Sequence, residues 1–237
     1  QSYAEAQYNL GWMYYHSQGV TQDYKLALSW YSKAADQGFA KAQYSLGVLH
    51  YHGQGVSQDY ELAHSWFKKA ADQGIAEAQH NLGVLYAKDE FILKNDKLAI
   101  SWYTKAADQG YSDAQFNLGF MYVNGRGVPK DYRVALSWYK KAAEQGNTMA
   151  IQEVALMLLD EGGLSSAIDW FKRGIEAGNN ESALSLGLQY SDQESQYYDI
   201  QLAIKYLEIA YELGDRDAPT LLGTFYNWGP DGGDLGL

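Results

Sequence analysis

The stretch "AQYNLGWMYYHSQGVTQDYKLALSWYSKAADQG", residues 6–38, contains the pattern that decides the fold. It returns at a fixed step of 36 residues, with Leu-Gly at 10–11, 46–47, 82–83 and 118–119. The Trp of "SW" keeps the same step, at 30, 66, 102 and 138. A fixed period in this range is typical of a solenoid built from stacked helical units. The chain is therefore predicted to be an all-α solenoid.

Each repeat is predicted to contain two helices joined by a loop. In the first helix, Ala6, Leu10 and Tyr14 recur at steps of four and share one face. Gly11 falls in the middle of this helix, where glycine costs about 1 kcal/mol relative to alanine. A cost repeated in successive units indicates a close helix–helix contact that leaves no room for a side chain.

The second helix has recognisable end signals. Residues with a short side-chain acceptor occupy one phase just before it and are candidate N-caps: Asp23, Asp59, Asn95, Asp131 and Asp199. Gly38 and its equivalents follow the last turn, where a left-handed residue commonly ends a helix. Both signals predict where the second helix begins and ends.

We predict about six repeats of 36 residues and a partial seventh, within one domain spanning residues 1–237. The approximate boundaries are 3–38, 39–74, 75–110, 111–146, 147–178, 179–214 and 215–237. In the fifth repeat Ala155 replaces the helix glycine, and the loop is four residues shorter. The sequence begins and ends within a repeat, which favours a piece of a longer solenoid.

Composition limits the functions to consider. No apolar run approaches the length of a membrane span, so direct membrane insertion is not expected. The net charge of −11 argues against nucleic acid as a partner. Residues 147–237 hold 4 Lys and Arg against 15 Asp and Glu, whereas the preceding residues balance. This acidic part is either a solvated surface or a docking face for a basic partner.

The segments "AQYNLGWMY", "GQGVSQDYELA" and "SWYKKAAEQG" resemble Sel1-like repeats, which are related to the tetratricopeptide repeat. The resemblance covers nearly the whole chain and is looser after about residue 147. It implies a right-handed superhelix of antiparallel helix pairs that acts as an adaptor in multiprotein assemblies. It also slightly favours a bacterial periplasmic or secreted location.

The resemblance further implies that each first helix lines the concave side of the solenoid. Aromatic side chains dominate the corresponding positions early in the chain and aliphatic ones later, and such aromatics are frequent binding hot spots. We therefore expect a groove that binds a protein or peptide partner through Tyr8, Trp12, Tyr15, Tyr44, Tyr51, His80, Phe116, Phe120 and Leu156. The alternative is that several of them pack between neighbouring repeats.

Catalytic and metal motifs are weak. Ser65 with Lys68, and Ser137 with Lys140, match the S-x-x-K spacing of β-lactamases, but both belong to the repeat pattern and no companion motif follows. The sequence has no Cys, and no two His share a helix face at the spacing of zinc ligands. No catalytic residue, metal or cofactor is therefore expected.

We expect a non-enzymatic interaction scaffold. Two alternatives stay open: an accessory or weak hydrolase of the cell envelope, and a structural spacer in a longer chain.

One loop departs from the pattern. "KDEFILKND", residues 88–96, keeps the loop length but places Phe91 where the other loops have Gly, followed by Leu93. Phe91 and Leu93 either pack locally or form a loop contact with a partner or a second copy of the chain.

Overall fold

The computed structural model describes residues 2–88 and 94–227, and all regular secondary structure within them is helical. Within these described residues, twelve helices form six helix-loop-helix repeats and a thirteenth follows them, which confirms the predicted α-solenoid. The helices are α1 Ser2–His16, α2 Tyr24–Ala35, α3 Ala40–His52, α4 Tyr60–Asp72, α5 Ala76–Ala87, α6 Asp96–Asp108, α7 Ser112–Asn124, α8 Tyr132–Glu144, α9 Thr148–Asp160, α10 Leu164–Glu176, α11 Asn180–Ser191, α12 Ile200–Glu212 and α13 Ala218–Asn227. None of the described helices is long and apolar enough to cross a bilayer.

The helices are grouped into two compact units, an N-terminal unit of residues 1–135 and a C-terminal unit of residues 136–237. In the N-terminal unit each helix from α1 to α7 packs against the next one in the chain. The same holds for α9 to α13 in the C-terminal unit. The expectation of one domain over residues 1–237 stays a prediction.

The end signals of the second helices are confirmed. Each predicted N-cap side chain accepts a hydrogen bond from the backbone N–H three residues later, at 2.8–3.1 Å, for Asp23, Asp59, Asn95, Asp131 and Asp199. Gly38 has a φ of +82°, and the N–H of the next residue, Phe39, donates to the Ala34 carbonyl at 3.2 Å. This is the left-handed helix end expected from the sequence.

The glycine of the first helix touches a ring of the second helix. A Cβ on Gly47 would lie 2.5 Å from the Phe67 ring, and one on Gly11 would lie 2.6 Å from the Tyr31 ring. Both rings are almost fully buried. The predicted close contact is therefore confirmed, and it explains why a helix-destabilising residue recurs. Ala155 of the fifth repeat is buried in the same cluster as Phe171, so that repeat accommodates one extra methyl group.

A ladder of buried glutamines joins successive repeats. Gln79 donates from Nε2 to the Ala71 carbonyl of the preceding repeat at 3.1 Å and accepts at Oε1 from Gln109 at 2.7 Å. Gln43 makes the equivalent bonds with Ala35 and Gln73. A buried polar group is tolerated only when it is hydrogen-bonded. The ladder therefore ties the start of each first helix to the two second helices on either side of it.

Replacing Gln79 with Leu is expected to reduce the free energy of unfolding by about 1.5 kcal/mol. Leucine has a similar size but leaves the Ala71 carbonyl and the Gln109 amide without their partner. Urea unfolding followed by circular dichroism measures the change. Gln22→Leu is the matched control, because Gln22 bonds the Tyr15 carbonyl at an exposed site. Equal losses in the two variants would contradict this account of the ladder.

The tryptophan of each "SW" pair, and Trp170 at the equivalent place in the fifth repeat, carries a cation three residues later in the same helix. The charged group lies 3.8–4.1 Å from the indole centroid in five pairs: Trp30 with Lys33, Trp66 with Lys69, Trp102 with Lys105, Trp138 with Lys141 and Trp170 with Arg173. Residues three apart are neighbours on a helix surface. These pairs place a cation over the face of tryptophans that are half-buried or, in the case of Trp102, buried.

Candidate functional site

A pocket of about 300 Å³ lies on the N-terminal unit between α1 and α3. Four of the predicted groove residues line it together: Tyr8, Trp12, Tyr15 and Tyr44. The remaining lining residues are His16, Tyr31, Ser45 and Val48. Its walls are therefore mostly aromatic, with hydroxyl groups as the main polar atoms.

Three tyrosine hydroxyls belong to the pocket lining, on the buried ring of Tyr31 and the half-buried rings of Tyr8 and Tyr44. The Tyr8 ring lies 5.6 Å from the Tyr31 ring and 5.3 Å from the Phe39 ring. Burial raises the pKa of Tyr8 and of Tyr31, and a hydrogen bond with the Ser45 hydroxyl opposes that rise. Burial also raises the pKa of Tyr44 to about 12. All three phenols therefore stay protonated at neutral pH and can both donate and accept hydrogen bonds.

The outer part is formed by Trp12 and Tyr15. Trp12 is 40% exposed although its ring lies 4.5 Å from the His16 ring. Tyr15 is half-buried, and its hydroxyl donates to Gln54 Oε1 in the next repeat at 3.0 Å. Trp12 is thus the lining ring with the largest surface open to a partner, while Tyr15 also holds two repeats together.

Two other predicted groove residues are largely engaged in contacts of their own. Tyr51 is half-buried, with its ring 5.4 Å from Tyr60 and 6.4 Å from Phe67. His80 accepts at Nε2 from the Asn117 amide at 2.9 Å, which places its proton on Nδ1, 3.2 Å from Asn81 Oδ1. Burial lowers the pKa of His80, in keeping with a neutral ring held by two asparagines.

The last predicted residues lie apart from the pocket lining. Phe116 and Phe120 are on α7; Phe116 is half-buried and Phe120 is 43% exposed. Leu156 is 36% exposed on α9 in the C-terminal unit. Phe91 and Leu93 lie outside the described residues. Their proposed loop contact stays a prediction.

Two lining residues, Tyr31 and Ser45, were not expected from the sequence. Tyr31 belongs to the second helix, where its ring is buried against Gly11. A tyrosine at a buried position usually has a hydrogen-bond partner for its hydroxyl. The choice of tyrosine at position 31 could therefore have indicated a polar neighbour on another helix. Ser45 stands two residues before the helix glycine, where Asn recurs at 9, 81 and 117. A polar residue repeated beside buried leucines indicates a second polar row on the first helices.

The S-x-x-K spacing does not bring a serine and a lysine together as a reactive pair. The Lys68 ammonium contacts the Asp72 carboxylate at 2.5 Å, and Ser65 is exposed on the outer face of α4. A search of the described residues for three or more His, Asp, Glu or Cys side chains able to hold a metal ion finds no group. The pocket offers aromatic stacking surface, the hydroxyl groups of tyrosines and Ser45, and the His16 imidazole.

Stacked helix pairs with a side-chain pocket on their first helices define an α-solenoid repeat protein. The Sel1 repeat family matches residues 4–39, 40–75, 76–111, 112–147, 164–179 and 181–215. The chain belongs to this family. Sel1 repeat proteins generally mediate interactions between proteins and are typically not enzymes.

Solved structures agree with this assignment. The chain is 32% identical to c5321, a protective antigen of uropathogenic Escherichia coli with an SLR fold, with a TM-score of 0.84. That match covers 94% of this chain and 49% of c5321, so the chain spans about half the length of that protein. A Sel1 repeat protein from Oxalobacter formigenes is 33% identical with a TM-score of 0.78, covering 88% of this chain and 87% of that one.

A more distant likeness concerns the fold alone. The immunity protein Pa5087 from Pseudomonas aeruginosa is 21% identical with a TM-score of 0.53, over 97% of this chain and 89% of that one. A comparison with curated proteins gives no match.

Proposed function

We propose that this chain is a non-enzymatic scaffold that binds a peptide or helix of a partner protein at the pocket between α1 and α3. The observation that carries the proposal is the exposure of Trp12 beside four tyrosines that line one pocket of about 300 Å³. Tryptophan and tyrosine are the residues most enriched at binding hot spots, because they bury a large area while ordering few torsions.

The supporting structure is already rigid before a partner arrives. Tyr8 is held by two neighbouring rings, and the Tyr15 hydroxyl is anchored to Gln54 of the next repeat. Side chains that are fixed in the free protein lose little further entropy on binding. Display of an ordered aromatic surface is the mechanism that this arrangement favours.

A selection experiment tests the proposal. Peptides enriched from a displayed random library against the intact chain are expected to bind Trp12→Ala and Tyr44→Ala at least about tenfold more weakly, a loss of about 1.4 kcal/mol for each variant. Fluorescence polarisation with labelled peptides measures the dissociation constants. Thermal unfolding of each variant verifies that the fold is kept.

Tyr211→Ala is the matched control, because Tyr211 is 57% exposed on α12 and lies outside the pocket. Its peptide affinity should stay within about twofold of the intact chain. Peptides whose affinity is unchanged by both Trp12→Ala and Tyr44→Ala would contradict the proposed site. So would a control that weakens binding as much as the pocket variants do.

The two alternative functions have less structural support. A hydrolase or envelope enzyme accessory calls for a compact polar pocket with a reactive pair, whereas the pocket here is lined by rings and neutral hydroxyls. A pure spacer calls for a groove filled by its own side chains, whereas the described residues leave this pocket open.

A further inference from the structure

The pocket between α1 and α3 combines aromatic faces with hydroxyl acceptors and has no lysine, arginine or carboxylate in its lining. The face of an aromatic ring carries negative electrostatic potential and attracts cations. The hydroxyl oxygens of Tyr8, Tyr44 and Ser45 can accept hydrogen bonds from a bound cation. At about 300 Å³ the pocket is at the small end of ligand sites, a size suited to one long side chain.

A carboxylate supplies negative charge to the same place. Burial is the main cause of the raised pKa of Tyr8 and of Tyr44, and the charge of Glu77 adds a smaller contribution to both, after that of Tyr111 in the case of Tyr44. Within residues 2–88 and 94–227 Glu77 has no ion-pair partner. Lys41, which holds the position of Glu77 in the second repeat, lines a different cavity with Gln37 and Gln73.

We propose that this pocket takes an arginine side chain of the partner peptide, with the guanidinium stacked on the aromatic rings and donating to the tyrosine and Ser45 hydroxyls. This inference rests on the proposed function and names the partner group that the site selects.

Arginine fits these features better than other side chains do. Its guanidinium is planar, presents five N–H donors and stacks on aromatic rings, whereas a lysine ammonium is compact and strongly hydrated. An acidic side chain would be repelled by Glu77. The chain already shows the same stacking within α10, where the Arg173 guanidinium lies 4.1 Å from the Trp170 ring.

A direct titration tests the inference with two small probes, N-acetyl-arginine N-methylamide and its citrulline counterpart. Citrulline has nearly the same shape as arginine but carries no charge. The indole N–H signal of Trp12, assigned by its loss in Trp12→Phe, is followed by nuclear magnetic resonance. We expect saturable shifts with the arginine probe in the millimolar range, and an apparent affinity for citrulline at least about fivefold lower.

Charge variants complete the test. Glu77→Gln is expected to weaken the arginine probe about threefold at low salt and less at high salt, because salt screens the interaction. Glu61→Gln removes the same charge at the start of α4 and should leave the affinity unchanged. Equal affinities for arginine and citrulline, or an unshifted Trp12 signal, would overturn the inference.

Failure of the inference and failure of the proposed function give different results. If selected peptides lose affinity for Trp12→Ala but bind equally well after each arginine is replaced by citrulline, the pocket binds peptides but does not select arginine. If no selected peptide depends on Trp12 or Tyr44, the proposed binding site itself is wrong.

Discussion

Replacing Gly55 with Ala is expected to lower the free energy of unfolding by about 3 kcal/mol. Gly55 lies in the loop between α3 and α4 with a φ of +74°, a conformation that costs a residue with a side chain about 1–2 kcal/mol. A Cβ there would also lie 2.6 Å from the carbonyl carbon of Tyr24, at the start of α2 in the preceding repeat. Backbone atoms cannot rotate aside, so the two repeats would have to separate.

Gly74→Ala separates the cost of the left-handed conformation from the cost of the clash with the neighbouring repeat. Gly74 has a φ of +91°, and no described atom lies within 4 Å of the position that its Cβ would occupy. This control should lose only about 1–2 kcal/mol, the cost of the left-handed conformation. Urea unfolding gives both values, and amide exchange should show faster opening of α1 and α2 in Gly55→Ala alone. Similar losses in the two variants would mean that the loop contact between repeats contributes little.

Gly47→Ala is expected to destabilise the chain by about 2 kcal/mol, although alanine is the better helix former by about 1 kcal/mol. The added methyl group would lie 2.5 Å from a ring atom of Phe67, which is fully buried and cannot move without disturbing its neighbours. Overpacking of this kind usually outweighs a gain in helix propensity. Chemical unfolding measures the difference.

The seventh repeat offers a matched control, a helix glycine that has no aromatic ring of a neighbouring helix against it. Gly223 is in α13, and the described residues place no atom within 4 Å of its would-be Cβ. Gly223→Ala should therefore be neutral or stabilise the chain by up to about 1 kcal/mol. Stabilisation in both variants would show that the close contact at Gly47 does not constrain the residue type.

Features that depend on local periodicity could be predicted from the sequence. The caps at Asp23 and Asp59 and the contact at Gly47 follow from residues within one repeat, because a helix fixes the direction of each side chain. The glutamine ladder could not be predicted in the same way. Gln43 and Gln73 are visible as repeated letters, but their hydrogen bond depends on how two helices are set side by side.

The candidate site was predictable only in part for the same reason. Tyr8, Trp12 and Tyr44 share a pocket because they occupy equivalent rows on α1 and α3. His80 occupies the same row as Tyr8, yet it lies between two asparagines and the rings of Tyr103 and Tyr111. Except for Asn81, which follows His80 in α5, those neighbours come from other parts of the chain, and helical spacing alone does not identify them.

The glutamine ladder has a consequence for how such a chain can lengthen. Because Gln43 and Gln79 make equivalent bonds to both sides, a duplicated copy of residues 40–75 would find a matching donor and acceptor at each end. The hydrogen-bond partners are different in the later part of the chain. Gln152 accepts from the Ser182 hydroxyl at 2.7 Å and donates to the Ser185 hydroxyl at 3.1 Å. The early repeats thus share one set of bonding partners across their junctions, whereas the fifth repeat requires serines at particular positions of the sixth.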